Sequence, residues 1–227
     1  MARLVDESFE AAGYEEAWTE TVGVGNTVDE DAAIPGSAPT GSGSQCLNCI
    51  LAGTNTNAYT LRDVGSNKAI TYVRAYIYID SWATSVGGSE YLVIVKGAVN
   101  NLYVSMYYTA VDGYTWVLGH YDNGDLTYYY KNVIQLDTWY RLEAKYDGTN
   151  ALYEFKINGV TIDSGALGTP RTDSRYFYIG CNGTRTIAAD VKFDLCAWDN
   201  ANWIGEEAAG GVPIAIYKKY YDYRRAQ

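Results

Sequence analysis

Apolar and polar residues alternate strictly along residues 69–80, AITYVRAYIYID. One face of this segment carries Thr71, Val73, Ala75, Ile77 and Ile79, and the other carries Tyr72, Arg74, Tyr76, Tyr78 and Asp80. Successive side chains of an extended chain point to opposite sides, so a period of two predicts a β-strand with two chemically different faces.

The same alternation continues in a second region of the chain. Residues 140–147, YRLEAKYD, and the following LYEFKI place these residues on the inner side: Tyr140, Leu142, Ala144, Tyr146, Tyr153, Phe155 and Ile157. Asn158 and Gly159 then lead into VTI. Because Asn-Gly is the preferred pair for a two-residue turn with positive φ at both positions, this stretch predicts a tight β-hairpin.

Many further short strands are predicted, and no long helical pattern occurs. They lie at 45–52, 58–63, 90–98, 102–109, 114–119, 125–131, 175–181 and 189–198. The segment 26–44 contains Pro35, Pro39 and many small residues, which predicts a surface loop. Short strands separated by turns rich in Gly, Asn and Asp are typical of an antiparallel sandwich or barrel.

Length and composition favour one folded body followed by a short arm. The 227 residues are 48% hydrophobic and 19% charged, which excludes disorder for most of the chain. We expect one β-domain over residues 1–205 and a basic, tyrosine-rich arm over residues 206–227. From Pro213 onward the net charge is +3, which leaves −13 for the rest of the chain.

An acidic body and a basic arm can attract neighbouring copies of the same chain. We therefore expect the arm to contact another subunit, and a final strand or a tail lying on its own domain is the alternative. The residues expected to make these contacts are Ile214, Ile216, Tyr217, Tyr220, Tyr221, Arg224 and Arg225.

The overall charge bears on the class of partner. With 17 basic and 27 acidic residues the formal net charge is −10, which disfavours nucleic acid. No run of about 18 apolar residues predicts a membrane span, and the opening MARLVDESFEAAG lacks the apolar centre of a signal peptide. We therefore expect a protein made without an export signal, with neither membrane nor nucleic acid as partner.

Tyrosine dominates the aromatic residues, with 23 tyrosines and 6 tryptophans against 4 phenylalanines. Such rings favour strands, and they are also common at subunit interfaces and on sugar-binding faces. The candidate binding residues are Tyr72, Arg74, Tyr76 and Tyr78 on one predicted strand, and Tyr103 and Tyr107 on another. Glycan binding, subunit contact and packing within the domain are all open for these residues.

Three segments resemble the concanavalin A-like lectin and glucanase jelly roll, in its laminin G-like branch. They are TWYRLEAKYDGTNALYEFKINGVTIDSG, YFYIGCNGT and ADVKFDLCAWDN, and the opening DESFEAAGYEEAWTE is similar to the first strand of that group. The resemblance implies an all-β fold, an antiparallel two-sheet β-sandwich, with a face that binds or cleaves glycans in many members. Single domains of this kind without a signal peptide and with a short basic, aromatic tail also resemble structural and decoration proteins of tailed bacteriophages. This resemblance implies a virion location after synthesis in the host cytoplasm, with another extracellular surface assembly as the alternative.

The catalytic signature of that family is missing from the sequence. Its glucanases carry E-x-D-x-x-E, because retaining hydrolysis needs two carboxyl groups about 5 Å apart, and no such string occurs. Asp190, Lys192 and Asp194 instead form an alternation typical of a solvated charged face. His120 is the single histidine and lies in GHYDNGD, which is typical of a surface turn. We therefore expect no enzyme, with a polysaccharide lyase or glycoside hydrolase as the less favoured alternative.

Metal binding has weak support in the sequence. Some members of the family that the chain resembles bind a structural calcium, and Glu10 and Asp190 fall where that resemblance would use them. Asp29, Glu30 and Asp31 form a second acidic cluster. Because calcium takes about six to eight oxygen ligands, we expect no cofactor, with calcium as an alternative.

The four cysteines form no complete metal motif. Cys46 and Cys49 are three residues apart, while Cys181 and Cys196 lie far along the chain. On a strand, residues three apart point to opposite faces, so one zinc ion would need a sharp turn. We expect buried thiols, and a disulfide or a zinc site are the alternatives.

These observations favour a non-enzymatic structural or adhesion protein. Its partners would be copies of itself or other virion proteins, with glycans as further candidates. The alternative is a carbohydrate-binding module that adsorbs to a polysaccharide.

Overall fold

The computed structural model describes residues 4–10, 18–53, 57–84, 89–122, 125–183 and 186–205. This part of the chain contains fifteen β-strands and no helix. The strands are β1 (Val5–Glu7), β2 (Thr19–Val22), β3 (Thr27–Ala33), β4 (Gln45–Ala52), β5 (Ala58–Lys68), β6 (Ile70–Trp82), β7 (Ser89–Lys96), β8 (Asn100–Thr109), β9 (Gly113–Asp122), β10 (Asp125–Val133), β11 (Trp139–Asp147), β12 (Leu152–Ile157), β13 (Val160–Ala166), β14 (Ser174–Asn182) and β15 (Ala188–Asp199).

The strands form two antiparallel sheets packed face to face. The eight-stranded sheet has the order β13-β12-β11-β6-β15-β4-β3, and β1 also pairs with β15. The seven-stranded sheet has the order β10-β9-β8-β7-β14-β5-β2. This architecture confirms the predicted all-β sandwich.

The core lies between the two sheets and is made by the apolar side of each alternating strand. Val73, Ala75, Ile77 and Ile79 of β6 are all buried there, as the alternation predicts. Phe177 of the seven-stranded sheet contacts Trp198 of the other sheet edge to face, with ring centroids 6.0 Å apart. Burying such aromatic rings supplies much of the hydrophobic free energy that holds the sheets together.

The predicted hairpin is confirmed at the turn between β12 and β13. Asn158 has φ 51° and Gly159 has φ 78°, the left-handed conformations that this turn requires. Asn158 also braces the neighbouring strand, because its side-chain oxygen accepts a hydrogen bond from the Arg141 amide at 2.8 Å.

The predicted surface loop at residues 26–44 is wrong in its first part. Strand β3 occupies Thr27–Ala33 and pairs with β4 at the edge of the eight-stranded sheet. Its sequence TVDEDAA carries acids where an alternating strand would carry apolar residues. An edge strand is hydrogen-bonded on one side only and tolerates charge, so its sequence lacks the usual pattern.

The expected arm, residues 206–227, lies outside the described residues, and so do its seven candidate contact residues. Among the residues that the structure describes, no helix is suited to spanning a bilayer.

Candidate functional site

The candidate binding residues lie on opposite sides of the sandwich. Tyr72, Arg74, Tyr76 and Tyr78 belong to β6, on the outer side of the eight-stranded sheet, whereas Tyr103 and Tyr107 belong to β8 of the seven-stranded sheet. The structure therefore divides them into two candidate surfaces with different chemistry.

The first surface is a charged face on the eight-stranded sheet, which we call the polar face. It consists of Tyr72, Arg74, Tyr76, Tyr78, Arg141, Glu143, Lys192 and Asp194. Strand register places Tyr76 of β6 between Arg141 of β11 and Asp194 of β15. Alternation along the three central strands brings these groups together.

Buried charges of the polar face hold the main chain at Leu195 and Gly205. The Arg74 guanidinium, with 0% exposure, donates through Nε to the Leu195 carbonyl and through Nη1 to the Gly205 carbonyl, each at 3.0 Å. The Gly205 amide donates to Glu143 Oε1 at 3.1 Å. Glu143 Oε2 in turn accepts from Arg141 Nε at 3.0 Å. These charges are therefore satisfied within the domain, as buried ion pairs require.

Asp194 is a fully buried acid in this cluster. Burial raises the pKa of Asp194 to about 6, although its Oδ1 accepts a hydrogen bond from the Leu195 amide at 2.7 Å. Leu195 has φ 46°, and the pairing register of β15 with β6 shifts between Asp194 and Ala197. The irregular strand thus turns the Leu195 carbonyl toward Arg74.

The expectation of a solvated charged face at residues 190–194 is wrong. Asp194 is buried, and Lys192 has 7% exposure while its Nζ donates to Asp190 at 2.8 Å and to Asp80 at 3.1 Å. Alternating charges in a sequence give the side of a strand but do not reveal which loops cover that side.

The tyrosines of the polar face mostly pack within the domain. Tyr72 meets the Trp203 ring edge to face at 5.3 Å, and Lys156 Nζ lies 3.5 Å from the centroid of Trp203. Tyr78 packs on Trp139 at 5.4 Å and is buried. Tyr76 is half-buried, and burial raises its pKa. Packing within the domain therefore accounts for most of this surface.

The second surface lies on the outer side of the seven-stranded sheet, and we call it the tyrosine face. It consists of Tyr59, Tyr91, Ile94, Tyr103, Tyr107, Val117 and Tyr178. Ile94, Tyr103 and Val117 are buried at its centre and form an apolar cluster separate from the main core. A second apolar cluster on the outer side of a sheet is the feature that distinguishes this surface from the polar face.

Half-exposed tyrosine rings surround this centre. Tyr91 meets Tyr103 edge to face at 4.9 Å, and Tyr59 lies 5.5 Å from Tyr178 between ring centroids. Tyr107 also packs against the buried cluster. These rings present apolar faces together with hydroxyl groups, the combination that suits flat, partly polar ligands.

Glycine makes room for the central ring of the tyrosine face. Gly119 pairs with Tyr103 across β8 and β9, and a Cβ on Gly119 would lie 2.1 Å from Tyr103 Cζ. The Tyr103 ring therefore lies flat over the neighbouring strand and has 0% exposure.

Sequence reasoning missed Tyr59, Tyr91 and Tyr178 as members of this surface. A signal was present in YFYIG, where Tyr176 and Tyr178 alternate with the inward Phe177 and Ile179. The missing information was strand order, because β5, β14 and β7 are neighbours only through long-range pairing.

The expectation of a surface-turn histidine is also wrong. His120 lies in β9 with 2% exposure, and its ring stacks on Tyr153 of the opposite sheet, with 3.9 Å between centroids. Burial lowers the pKa of His120. Strand β9 extends to Asp122, so the turn begins later than the sequence suggests.

The cysteines and acidic residues considered as possible metal ligands have other partners in the structure. All four cysteines are free and buried, and Cys46 Sγ donates to the Ala32 carbonyl at 3.4 Å. Glu10 accepts from the Gln45 amide at 2.6 Å, while Asp190 pairs with Lys192. Within the described ranges, no three His, Cys, Asp or Glu residues are grouped to hold a metal ion. The expectation of no cofactor, with calcium as the alternative, stays a prediction.

Comparison with known proteins gives structural neighbours only. No protein family matches the chain, and no curated protein is similar in sequence. A sialidase superposes with a TM-score of 0.62 at 8% identity over 89% of this chain. The receptor-binding domain of botulinum neurotoxin type G gives 0.57 at 13% identity over 89%. Alginate lyase A1-II′, of polysaccharide lyase family 7, gives 0.54 at 13% identity over 69%.

The neighbours are β-sandwich jelly-roll proteins, consistent with the concanavalin A-like fold that the sequence predicts. The chain spans 19% of the sialidase, 49% of the toxin domain and 80% of the lyase. Identities this low show the fold alone, so any function must be argued from this chain's own surfaces.

Proposed function

We propose that this protein is a non-enzymatic adhesion protein that binds glycans through the tyrosine face. The observation that carries the proposal is the ring of half-exposed tyrosines around the buried Ile94, Tyr103 and Val117. Tyrosine supplies a large, rigid contact area with a polar end at little cost in side-chain entropy. Such rings can stack on the apolar faces of sugars while their hydroxyls bond to the sugar hydroxyls.

The fold is compatible with a role in adhesion. The same sandwich occurs in a toxin's receptor-binding domain and in an alginate lyase, so it serves recognition as well as cleavage. On the polar face, Arg74, Glu143 and Asp194 are buried and engaged in structural hydrogen bonds. Groups that hold the main chain at Gly205 and Leu195 are poorly placed for proton transfer to a substrate.

The setting that we propose is a virion or a similar assembly, in which residues 206–227 contact neighbouring subunits. The support is the charge pattern of the sequence, in which a basic ending follows an acidic body. Deleting residues 206–227 and measuring particle size by light scattering tests this part. We expect dissociation into smaller species, and an unchanged assembly would reject the arm as the contact.

The binding proposal is tested with soluble oligosaccharides of cellulose, xylan, chitin and polymannuronate. Tyr178→Ala should weaken binding of the best oligosaccharide about tenfold, a typical loss for one stacked ring. Tyr72→Ala is the matched control, because Tyr72 packs on Trp203 at the other side of the sandwich. If no oligosaccharide binds, or if both substitutions have the same effect, the proposal fails.

Incubation with the same oligosaccharides separates adhesion from cleavage. We expect no new reducing ends and no new unsaturated ends, as measured by colorimetric assay and ultraviolet absorbance. Product formation at an enzyme-like rate would favour a lyase or a hydrolase instead.

A further inference from the structure

Lys96 lies at the border of the tyrosine face. Lys96 ends strand β7, two residues beyond Ile94, and its Nζ lies 5.9 Å from the centroid of the Tyr178 ring. Lys96 pairs with Tyr176 on the neighbouring strand β14. The ammonium group therefore lies at the edge of the tyrosine face, beside the half-exposed Tyr178 ring.

Lys96 differs from the other cation in this region in its partners. Arg175 lies 5.2 Å from the Tyr176 ring, and Asp63 neutralises it through two hydrogen bonds of 2.8 Å and 2.7 Å. Lys96 forms no ion pair with a carboxylate among the residues that the structure describes. The nearby Asp173 is already engaged by Arg171 at 2.6 Å. Lys96 is thus available for an anionic group of a ligand.

We propose that the tyrosine face recognises an acidic polysaccharide, with the ring of a uronic acid stacked on Tyr178 and its carboxylate paired with Lys96. This inference rests on the proposed function and specifies the class of glycan. Lys96 Nζ lies over the Tyr178 ring, within the roughly 6 Å at which a cation interacts with an aromatic face, so a sugar that packs against this ring would be in reach of the ammonium group. The carboxylate of a stacked uronic acid then faces the ammonium group.

The negative net charge of the protein means that an acidic polysaccharide would depend on Lys96 for electrostatic attraction. The net charge of −10 repels a polyanion on average, so binding of an acidic polymer requires a local cation. A half-buried lysine beside a ring keeps more of its electrostatic attraction than a fully solvated one. A neutral glycan could accept hydrogen bonds from this lysine but would lack the attraction between opposite charges.

The test compares one polymer in two charge states. Oligomannuronate and its carboxyl-reduced, neutral form have the same backbone, and their affinities are measured by calorimetry at low salt. We expect reduction of the carboxyl groups to weaken binding at least tenfold. Lys96→Met should cause a similar loss with oligomannuronate and a much smaller loss with the reduced form, which can only accept hydrogen bonds from the lysine.

Lys68→Met is the matched control, because Lys68 lies at the end of β5 and its Nζ donates to Ser66 at 2.9 Å. It should leave both affinities unchanged. Equal binding of the two polymers, with Tyr178→Ala weakening both, would overturn this inference and leave the proposed function standing. Binding of neither polymer, together with self-association that Lys96→Met alters, would overturn it in favour of contact with a second copy.

Discussion

His120 and Tyr153 stack across the two sheets, with ring centroids 3.9 Å apart and planes inclined by 32°. The histidine belongs to β9 and the tyrosine to β12, so the contact joins the seven-stranded sheet to the eight-stranded sheet. The single histidine of this protein is thus part of the interior.

Acid should weaken the fold through His120. Burial lowers the pKa of His120, so the unfolded chain takes up its proton at a higher pH than the folded chain. The stability that neutral His120 contributes is complete above the ordinary histidine pKa of about 6.5 and is lost as the pH falls through the folded-state value. Urea unfolding at several pH values should show this loss relative to His120→Phe. If the difference in unfolding free energy between wild type and His120→Phe does not change with pH, this prediction is wrong.

Asp194 should show the opposite dependence on pH. Its pKa is raised from 3.8 to about 6, so the folded protein binds this proton more tightly than the unfolded chain. Its contribution is complete below about pH 4 and is lost as the pH rises through about 6. The unfolding free energy of wild type relative to Asp194→Asn should fall by about 3 kcal/mol between these limits, since each pKa unit is worth about 1.4 kcal/mol.

Asp173→Asn serves as the control for this experiment. The hydrogen bonds from Arg171 hold the pKa of Asp173 well below its usual range, so its contribution is lost as the pH falls. The two aspartates should therefore give trends of opposite sign. The same trend for both would show that Asp194 is not a buried, desolvated acid.

The aromatic centre of the core should be the most sensitive position to truncation. Phe177 lies 6.0 Å from both Trp18 and Trp198, which joins β14 to the opposite sheet. Phe177→Ala should lower the unfolding free energy by about 3–5 kcal/mol, since it removes apolar contacts and leaves a cavity. Val111→Ala, at a site with 92% exposure, should change it by less than about 0.5 kcal/mol. Similar effects of both substitutions in denaturant unfolding would contradict this packing.

The close approach of Gly119 and Tyr103 should appear as an energetic coupling. A methyl group at Gly119 would displace the Tyr103 ring, so Gly119→Ala should destabilise the wild type. In a Tyr103→Ala background the same substitution should cost less, because the ring is gone. A coupling energy of about 1 kcal/mol or more in this double-mutant cycle is expected, and strict additivity would show that the ring lies elsewhere.

The architecture could be predicted from the sequence because the alternation of apolar and polar residues follows directly from the geometry of a β-strand. The alternation in residues 69–80 and 140–147 assigned the inward side of β6 and β11 correctly. Strand β3 was not predicted because TVDEDAA forms an edge strand, where alternation of hydrophobic residues is not required. His120 was misassigned because its neighbours in sequence resemble a turn, whereas in the structure its ring packs on Tyr153 of the opposite sheet.

The candidate site was predicted less completely than the fold. Tyr103 and Tyr107 were singled out from the sequence, but Tyr59, Tyr91 and Tyr178 join them only through the order β8-β7-β14-β5. Tyr72 and Tyr78 were also candidate binding residues, but Trp203 packs against Tyr72 and Trp139 packs against Tyr78. Local sequence gives the side of a strand, whereas a binding surface depends on which strands meet and which loops cover them.

Hydroxyl-radical footprinting with bound oligomannuronate, and separately with its carboxyl-reduced form, tests the central claim most directly. A glycan on the tyrosine face should protect Tyr59, Tyr91, Tyr107 and Tyr178 from oxidation and leave Tyr72 and Tyr76 unchanged. Protection confined to Tyr72 and Tyr76, or tight binding without protection of any of these tyrosines, would contradict the claim.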